Sequence, residues 1–191
     1  MTLSTRVPLC SLDTFRQFLP KGYPSEVHNV ETEDGYHLQV FRIQAKGTQI
    51  TEGKPVVFAQ HGITNSAISL VINDDQTFAL VLADLGFDVW IGNNRGTKFS
   101  TRHRTLSPEN PKFWDYSFQQ MGEYDIPAFL KFVHQKTGQK IAYIGHSQGT
   151  TQMFAALSDP KVRPKVAPLL TTFYALAPVI SFVSPLIHSF R

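Results

Sequence analysis

Five consecutive residues, Gly145-His146-Ser147-Gln148-Gly149, are where the sequence could do chemistry. A serine hydroxyl is a weak nucleophile until a neighbouring base takes its proton, and one common way to present it is at a sharp turn with small residues on both sides. A bare Gly-x-Ser-x-Gly arises by chance in a chain this long with a probability of roughly 5%, from glycine and serine frequencies of about 7% each. Context gives the pattern its weight. The run Ile141-Ala142-Tyr143-Ile144 leads directly into it and a helix-compatible run from Gly149 to Leu157 leads directly out, so the order is strand, turn, helix. At such a turn side chains at 145 and 149 would crowd the neighbouring strand and helix, and Gly145 and Gly149 relieve that. Ser147 Oγ then stands at the sheet's upper edge beside a helix N-terminus, whose unpaired N–H groups favour a developing anion. The backbone N–H of Gln148 is one expected oxyanion donor. The second is expected from the loop after an earlier strand, where Ala59-Gln60-His61-Gly62-Ile63-Thr64-Asn65-Ser66 would supply the N–H of Ile63. The competing reading makes Ser147 a helix cap in a domain without activity. His61 and His146, beside tight turns, are expected to hydrogen-bond backbone rather than to carry protons.

The elements that must position these residues follow from hydrophobic pattern. Pro55–Gly62, Phe87–Asn94, Lys140–Ser147 and Thr172–Val179 contain short, nearly continuous apolar runs, as expected for strands buried on both faces of a parallel sheet. Asp34-Gly35, between two alternating runs, predicts a β-hairpin near the N-terminus. Phe78, Val81, Leu82 and Leu85 fall at helical spacing and Gly86 follows as a stop; Ile126, Phe129, Leu130 and Val133 repeat the spacing, closed by Gly138. Pro127 predicts that the second regular helix starts or kinks near Asp125. Strand and helix alternating in this way predict an α/β domain whose ligands bind beyond the carboxyl ends of the strands. Three of the four runs end there in small or polar residues: His61-Gly62, Gly92-Asn93-Asn94 and Gly145-His146-Ser147.

Composition narrows the function classes. The chain has 191 residues, 42% hydrophobic and 17% charged, with a net charge of +3, which fits one globular domain with its own core. Lys98, Arg102, His103 and Arg104 cluster, but no aromatic-interleaved basic surface accompanies them, so they read as a solvated loop and not as a nucleic-acid site. No His-Glu-x-x-His or Cys/His cluster suggests a metal, and no glycine-rich phosphate loop suggests a nucleotide; no cofactor is expected. The single Cys10 permits no internal disulfide. There is no apolar segment of signal-peptide type, no Asn-x-Ser/Thr sequon and no run approaching the ~18 apolar residues of a membrane span. As written, the chain reads as cytosolic.

Five segments together carry a resemblance: Gly22–Ile43, Ala59–Ala67, Gly92–Pro108, Phe113–Val133 and Thr137–Phe154. In this order they resemble the acid lipase family, the gastric and lysosomal acid lipases with an α/β-hydrolase fold, over about Gly22 to Val179. The resemblance implies a mostly parallel sheet with flanking helices, and an esterase or lipase acting on neutral lipid esters such as acylglycerols or sterol esters. It matches Ser147 to the nucleophile, and Gln148 and Ile63 to the two oxyanion positions. It further implies a lysosomal or secreted address if the N-terminus is incomplete. Residues 1–21 read as a lead-in, 22–180 as a partial hydrolase core, and 181–191 as the first residues of a cap. The family continues for about as many residues again, through that cap and the strands that deliver the triad acid and histidine.

In α/β-hydrolases the triad follows the order serine, acid, histidine. After Ser147 the sequence has one acid, Asp159, and one histidine, His188. At ~1.5 Å rise per residue the outgoing helix carries Asp159 roughly 15 Å from Ser147, and Asp159-Pro160 reads as a helix stop. His188 follows a strand that should end on Ser147's edge, so a Ser-His dyad is conceivable; nothing in the sequence fixes its position, and loss of an orienting acid alone costs ~10⁴ in rate. The expectation is therefore a lipase half whose triad acid and histidine are absent, inactive or nearly so by itself. A non-catalytic half-domain that binds a lipid or a protein partner is the alternative. The last strand would form an apolar sheet edge, through which the chain is expected to self-associate or take a partner.

Overall fold

The computed structural model describes residues 12–73 and 76–180. Helix α1 (Leu12–Arg16) precedes the hairpin of β1 (Ser25–Glu31) and β2 (Tyr36–Ile43). Then come β3 (Val56–Gln60), α2 (Phe78–Asp84), β4 (Asp88–Gly92) and the two-residue β5 (Arg102–His103). Helix α3 (Phe118–Gln120) runs through a π-helical turn at Met121–Asp125 into α4 (Ile126–Thr137). The chain continues through β6 (Ile141–His146), α5 (Gln148–Ser158), α6 (Arg163–Val166) and β7 (Leu170–Leu176).

The strands form one mixed sheet in the order β1-β2-β4-β3-β6-β7, with β5 beside β2. β1, β2 and β4 pair antiparallel, and β4, β3, β6 and β7 pair parallel. The parallel strands are the apolar runs of the sequence, and all five residues of β3 and of β4 are buried. Alternation along each strand divides the core in two. Phe58, Trp90 and Tyr143 face the layer of α4 and α5 with Phe129, Leu130, Val133 and Met153. Ala59, Val89 and Ile91 face the opposite layer with Phe15, Phe41, Ala79 and Leu80.

The described part of the lead-in, residues 12–21, takes part in this packing. Phe15 is fully buried, its ring stacked on Phe41 at 4.0 Å between centroids. The helix signals act where the sequence places them: Gly86 (φ 94°) follows α2, and Gly138 (φ 66°) ends α4 with its N–H donating to the His134 carbonyl. Pro127 is the second residue of α4, directly after the π-helical turn at Met121–Asp125, so the regular helix begins where Pro127 predicts a start or kink. The π-helical turn just before it has no sequence signal comparable to these.

Register decides what the sheet edge brings together. Gln60 lies opposite Gly92 on one side and Gly145 on the other, and Gly145 lies opposite Ala175. The loops after β3, β4, β6 and β7 therefore leave the sheet at one level.

Candidate active site

Ser147 occupies the single residue between β6 and α5, with φ 52° and ψ −118°. A side chain in that region is strained, and such strain persists only where the surroundings over-determine it. Three non-glycine residues among those described have positive φ: Thr64 (61°), Ser147 (52°) and Ala177 (47°). Each lies in a loop leaving this sheet edge. Ser147 N–H donates to the Leu176 carbonyl at 3.0 Å, tying the turn to the end of β7. The segment beyond is strapped to α5: Thr151 Oγ1 donates to the Val179 carbonyl (2.7 Å), and Val179 N–H donates to Thr150 Oγ1 (3.1 Å).

The flanking glycines are required by contact. A Cβ at Gly149 would come within 2.5 Å of the Gln60 carbonyl oxygen, and one at Gly145 within 2.7 Å of Gly149 backbone. Helix α5 thus starts directly against the end of β3. A third close approach involves Gly62, where a Cβ would lie 3.0 Å from Ser147 Cβ. Gly145 and Gly149 belong to the Gly-x-Ser-x-Gly pattern; Gly62 lies outside it, and its sequence signal is a small residue at a strand end.

The expected oxyanion positions line one cleft of about 900 Å³, to which Ile63 and Gln148 both contribute. Gln148 is the first residue of α5, where backbone N–H groups have no intrahelical acceptor. Ile63 is 61% exposed and immediately precedes the strained Thr64.

His61 is 1% exposed and holds this loop. Its Nε2 accepts the Asn94 N–H at 3.2 Å, which makes Nδ1 the protonated nitrogen, donating to the Gly62 carbonyl at 2.8 Å. Burial pulls its pKa down to about 4, only partly opposed by the bond to Gly62, so the ring is neutral at ordinary pH. Both nitrogens are engaged, and neither is available to Ser147. His146 is exposed beside the turn. Asp159 caps α5, its carboxylate accepting the Lys161 N–H at 2.7 Å at the far end of that helix. His188 lies outside the described residues.

Behind the β4 loop is an ionic cluster that the sequence reading missed. Arg95, 2% exposed, donates Nε to Asp125 Oδ1 (2.9 Å) and Nη1 to Asp34 Oδ2 (2.6 Å), with its guanidinium 4.0 Å above the Tyr36 ring. Burial pushes Asp125 up to about 6 against the opposing pull of Arg95. The cluster joins the hairpin turn, the β4 loop and the π-helical turn. The basic loop is partly paired as well: Arg104 meets Glu31, and Lys98 lies over the rings of Phe18 and Phe99. Among the described residues no group of three or more His, Cys, Asp or Glu could hold a metal ion, and no helix is long and apolar enough to cross a membrane.

Residues 55–169 match the family model of the alpha/beta hydrolase fold, and residues 18–74 match that of the partial alpha/beta-hydrolase lipase region. The chain belongs to the α/β-hydrolase family. Its sequence relatives include gastric and lysosomal lipases. It is 46% identical over 176 residues to gastric triacylglycerol lipase of Homo sapiens, covering 89% of this chain and 44% of the relative. Over 164 residues it is 46% identical to the lysosomal acid lipase/cholesteryl ester hydrolase of Macaca fascicularis, covering 84% of this chain and 40% of the relative. The chain therefore spans less than half the length of the curated relatives it matches. Among solved structures, the alpha/beta hydrolase GrgF from Penicillium sp. sh18 superposes with a TM-score of 0.62 at 16% identity, over 87% of this chain and 50% of that one. That likeness shows the fold alone. As an α/β-hydrolase the chain carries its Gly-x-Ser-x-Gly where β6 meets α5, and the mixed sheet agrees with the architecture expected from sequence.

Proposed function

We propose that Ser147 is the nucleophile of an ester hydrolase of the acid lipase type, acting on neutral lipid esters such as acylglycerols or sterol esters. The observation that carries this is the strained Ser147 backbone between β6 and α5, at the level where the β3 and β4 loops also leave the sheet. A helix cap needs no such backbone, since Ncap residues normally sit in the β region. Ser147 Oγ attacks the ester carbonyl carbon as a base takes its proton. The carbonyl oxygen becomes an oxyanion held by the N–H groups of Gln148 and Ile63, the C–O bond to the alcohol breaks, and the proton passes to the leaving oxygen. Water then hydrolyses the acyl-serine.

The base and its orienting acid are not supplied by the histidines and acids described around Ser147. The 191-residue polypeptide alone is accordingly read as inactive or very weakly active, with at most the ~10³- to 10⁴-fold acceleration over water that an oxyanion hole and binding leave. The gastric and lysosomal names of the relatives make a secreted or lysosomal address part of the same reading.

The test is hydrolysis of a short p-nitrophenyl ester and labelling by a fluorophosphonate, each with Ser147→Ala as control. The polypeptide alone should match its Ser147→Ala variant. Joined to the acid- and histidine-bearing half of an acid lipase it should gain turnover and labelling that Ser147→Ala abolishes. A folded, joined protein that still fails to label would refute the hydrolase reading.

A second reading is favoured by the β7 edge, where Tyr174 is 55% and Leu176 43% exposed. A strand whose outer edge pairs with none of the described residues is a template for another chain, and a half-domain that binds a lipid or a protein partner through it would need no catalysis. Self-association through β7 belongs to this reading.

A further inference from the structure

We propose that a second groove, walled by the hairpin turn, the π-helical turn with the start of α4, and α6, binds a zwitterion that joins an ammonium group to a phosphate ester, the chemistry of a phosphocholine or phosphoethanolamine headgroup. The groove has a volume of about 780 Å³ and shares no lining residue with the cleft that Ile63 and Gln148 line. Its charges decide the class of ligand. Three carboxylates, Glu31, Glu33 and Glu123, and three cations, Arg104, Lys131 and Lys165, line it. They sum to zero, so the groove favours neither a free anion nor a free cation, and a neutral molecule carrying both signs matches it. Two of the cations are already paired: Arg104 Nε donates to Glu31 Oε1 at 2.7 Å, and Lys165 Nζ lies 3.1 Å from Glu33 Oε2. Glu123 and Lys131 form no ion pair among the described residues. At ~1.5 Å rise per residue their Cα atoms are roughly 12 Å apart along one helical path. Pro127 and Ala128 lie between them on that path and Leu169 lines the same groove, which gives apolar surface for the methylenes that join the two charges of the ligand.

The Arg95 cluster sets the orientation. Glu33 and Tyr124 directly precede Asp34 and Asp125, the two carboxylates that share Arg95. One guanidinium against two carboxylates leaves a negative charge in excess at that end. Tyr124 has its pKa raised, by burial first and then by Glu123, Asp34 and Glu33, the direction a negative field imposes. The ammonium therefore lies against Glu123 and the Tyr124 ring, and the phosphate against Lys131. The same cluster makes the walls rigid before any ligand arrives. Arg95 ties the hairpin turn to the π-helical turn, and Lys165 ties α6 to the hairpin turn. Gly122 presses the π-helical turn onto α5, where a Cβ would come within 2.7 Å of the Gln152 carbonyl oxygen. A site held in place in this way loses little freedom on binding, and π-helical turns recur at functional sites.

The test is titration of the full 191-residue chain with phosphocholine, followed by amide NMR shifts. Binding should be about millimolar, as expected for a ligand of this size, with shifts at Tyr124, Ala128 and Lys131. Choline chloride and inorganic phosphate, offered separately, should each bind about fivefold or more weakly. Lys131→Gln and Glu123→Gln should each weaken phosphocholine about fivefold, the worth of one surface charge contact. Ser147→Ala should bind as wild type does. Flotation with phosphatidylcholine vesicles separates the two sources of this chemistry: retention that Lys131→Gln loses identifies a lipid headgroup, and binding of free phosphocholine without retention identifies a soluble ester. No shifts at about ten times the millimolar concentration, equal binding of phosphate or choline alone, or unchanged affinity in both charge variants would each overturn the assignment. The groove needs no nucleophile, so its failure is separate from failure of Ser147 to label in the joined protein.

Discussion

His61 should make the folded chain lose stability as the pH falls, and His61→Gln should remove most of that loss. The folded ring, 1% exposed, titrates at about 4, and an unfolded histidine titrates near 6.5. Between these values the unfolded chain binds a proton at this position and the folded chain does not, so stability rises with pH across the window and falls on acidification. At about 1.4 kcal/mol per factor of ten in proton affinity, the gap corresponds to about 3 kcal/mol between pH 6.5 and pH 4. That is a large share of the ~5–15 kcal/mol that holds a domain together. Asp125 acts with the opposite sign: burial raises it to about 6, so its contribution weakens as pH rises from 3.8 to 6 and partly masks the histidine in the wild-type curve. The measurement is therefore a difference, urea unfolding of wild type and His61→Gln at half-unit steps from pH 7 to pH 4. Glutamine's amide oxygen can still accept the Asn94 N–H and carries no titrating group. The two stabilities should converge by about 3 kcal/mol at the acid end relative to neutral pH. Parallel curves, or an NMR titration placing the His61 ring near 6.5, would refute the reasoning.

Gly149→Ala puts a Cβ 2.5 Å from the Gln60 carbonyl oxygen, which is backbone and cannot step aside, so unfolding measurements should show a loss of about 2–3 kcal/mol. Gly62→Ala meets Ser147 Cβ at 3.0 Å, a milder clash at the reacting centre. It should cost about 1 kcal/mol in stability and up to about a hundredfold in turnover of the chain joined to the acid- and histidine-bearing half of an acid lipase. Asp125→Asn leaves the buried Arg95 with Asp34 as its remaining carboxylate, and a loss of about 3 kcal/mol is expected in chemical denaturation. Replacing Tyr174 and Leu176 together by lysine places charge on the exposed side of β7 and should convert any self-associated chain to monomer in sedimentation velocity.

Much of the fold was legible because its signals are local. Buried parallel strands produce continuous apolar runs, and Gly35, Gly86 and Gly138 sit where positive φ is needed. The pattern around Ser147 was legible for the same reason, since strand, turn and helix are neighbours in sequence. What the sequence left unread depends on contacts across many residues. Nothing local to Arg95 states that Asp34 and Asp125, 61 and 30 residues away, neutralise it. The packing of Phe15 on Phe41 likewise depends on the path of the chain from α1 to the sheet. The two roles of the His61 ring needed the β4 loop in place before either nitrogen had a defined partner.

These distant contacts explain how strained residues persist at this edge. Positive φ at Thr64 and Ser147 disfavours the two loops that would cradle an oxyanion, at a cost of order 1–3 kcal/mol for each residue. Buried ties to neighbouring strands oppose their relaxation. Gln60 Nε2 donates to Asn94 Oδ1 at 2.8 Å while His61 accepts the Asn94 N–H, so the β3 and β4 loops cannot separate without leaving buried polar groups unpaired. The Ala67 N–H bond to Asn93 Oδ1 (2.9 Å) anchors the far end of the loop carrying Ile63 and Thr64. Arg95, through Asp125 and Asp34, fixes the base of the same assembly. Each of these ties is made by residues between Asp34 and Asp125. Positioning of the proposed donor at Ile63 is thus built into the part of the chain that precedes β6, whereas Ser147 and the Gln148 N–H are held by the turn between β6 and α5 and its bond to Leu176.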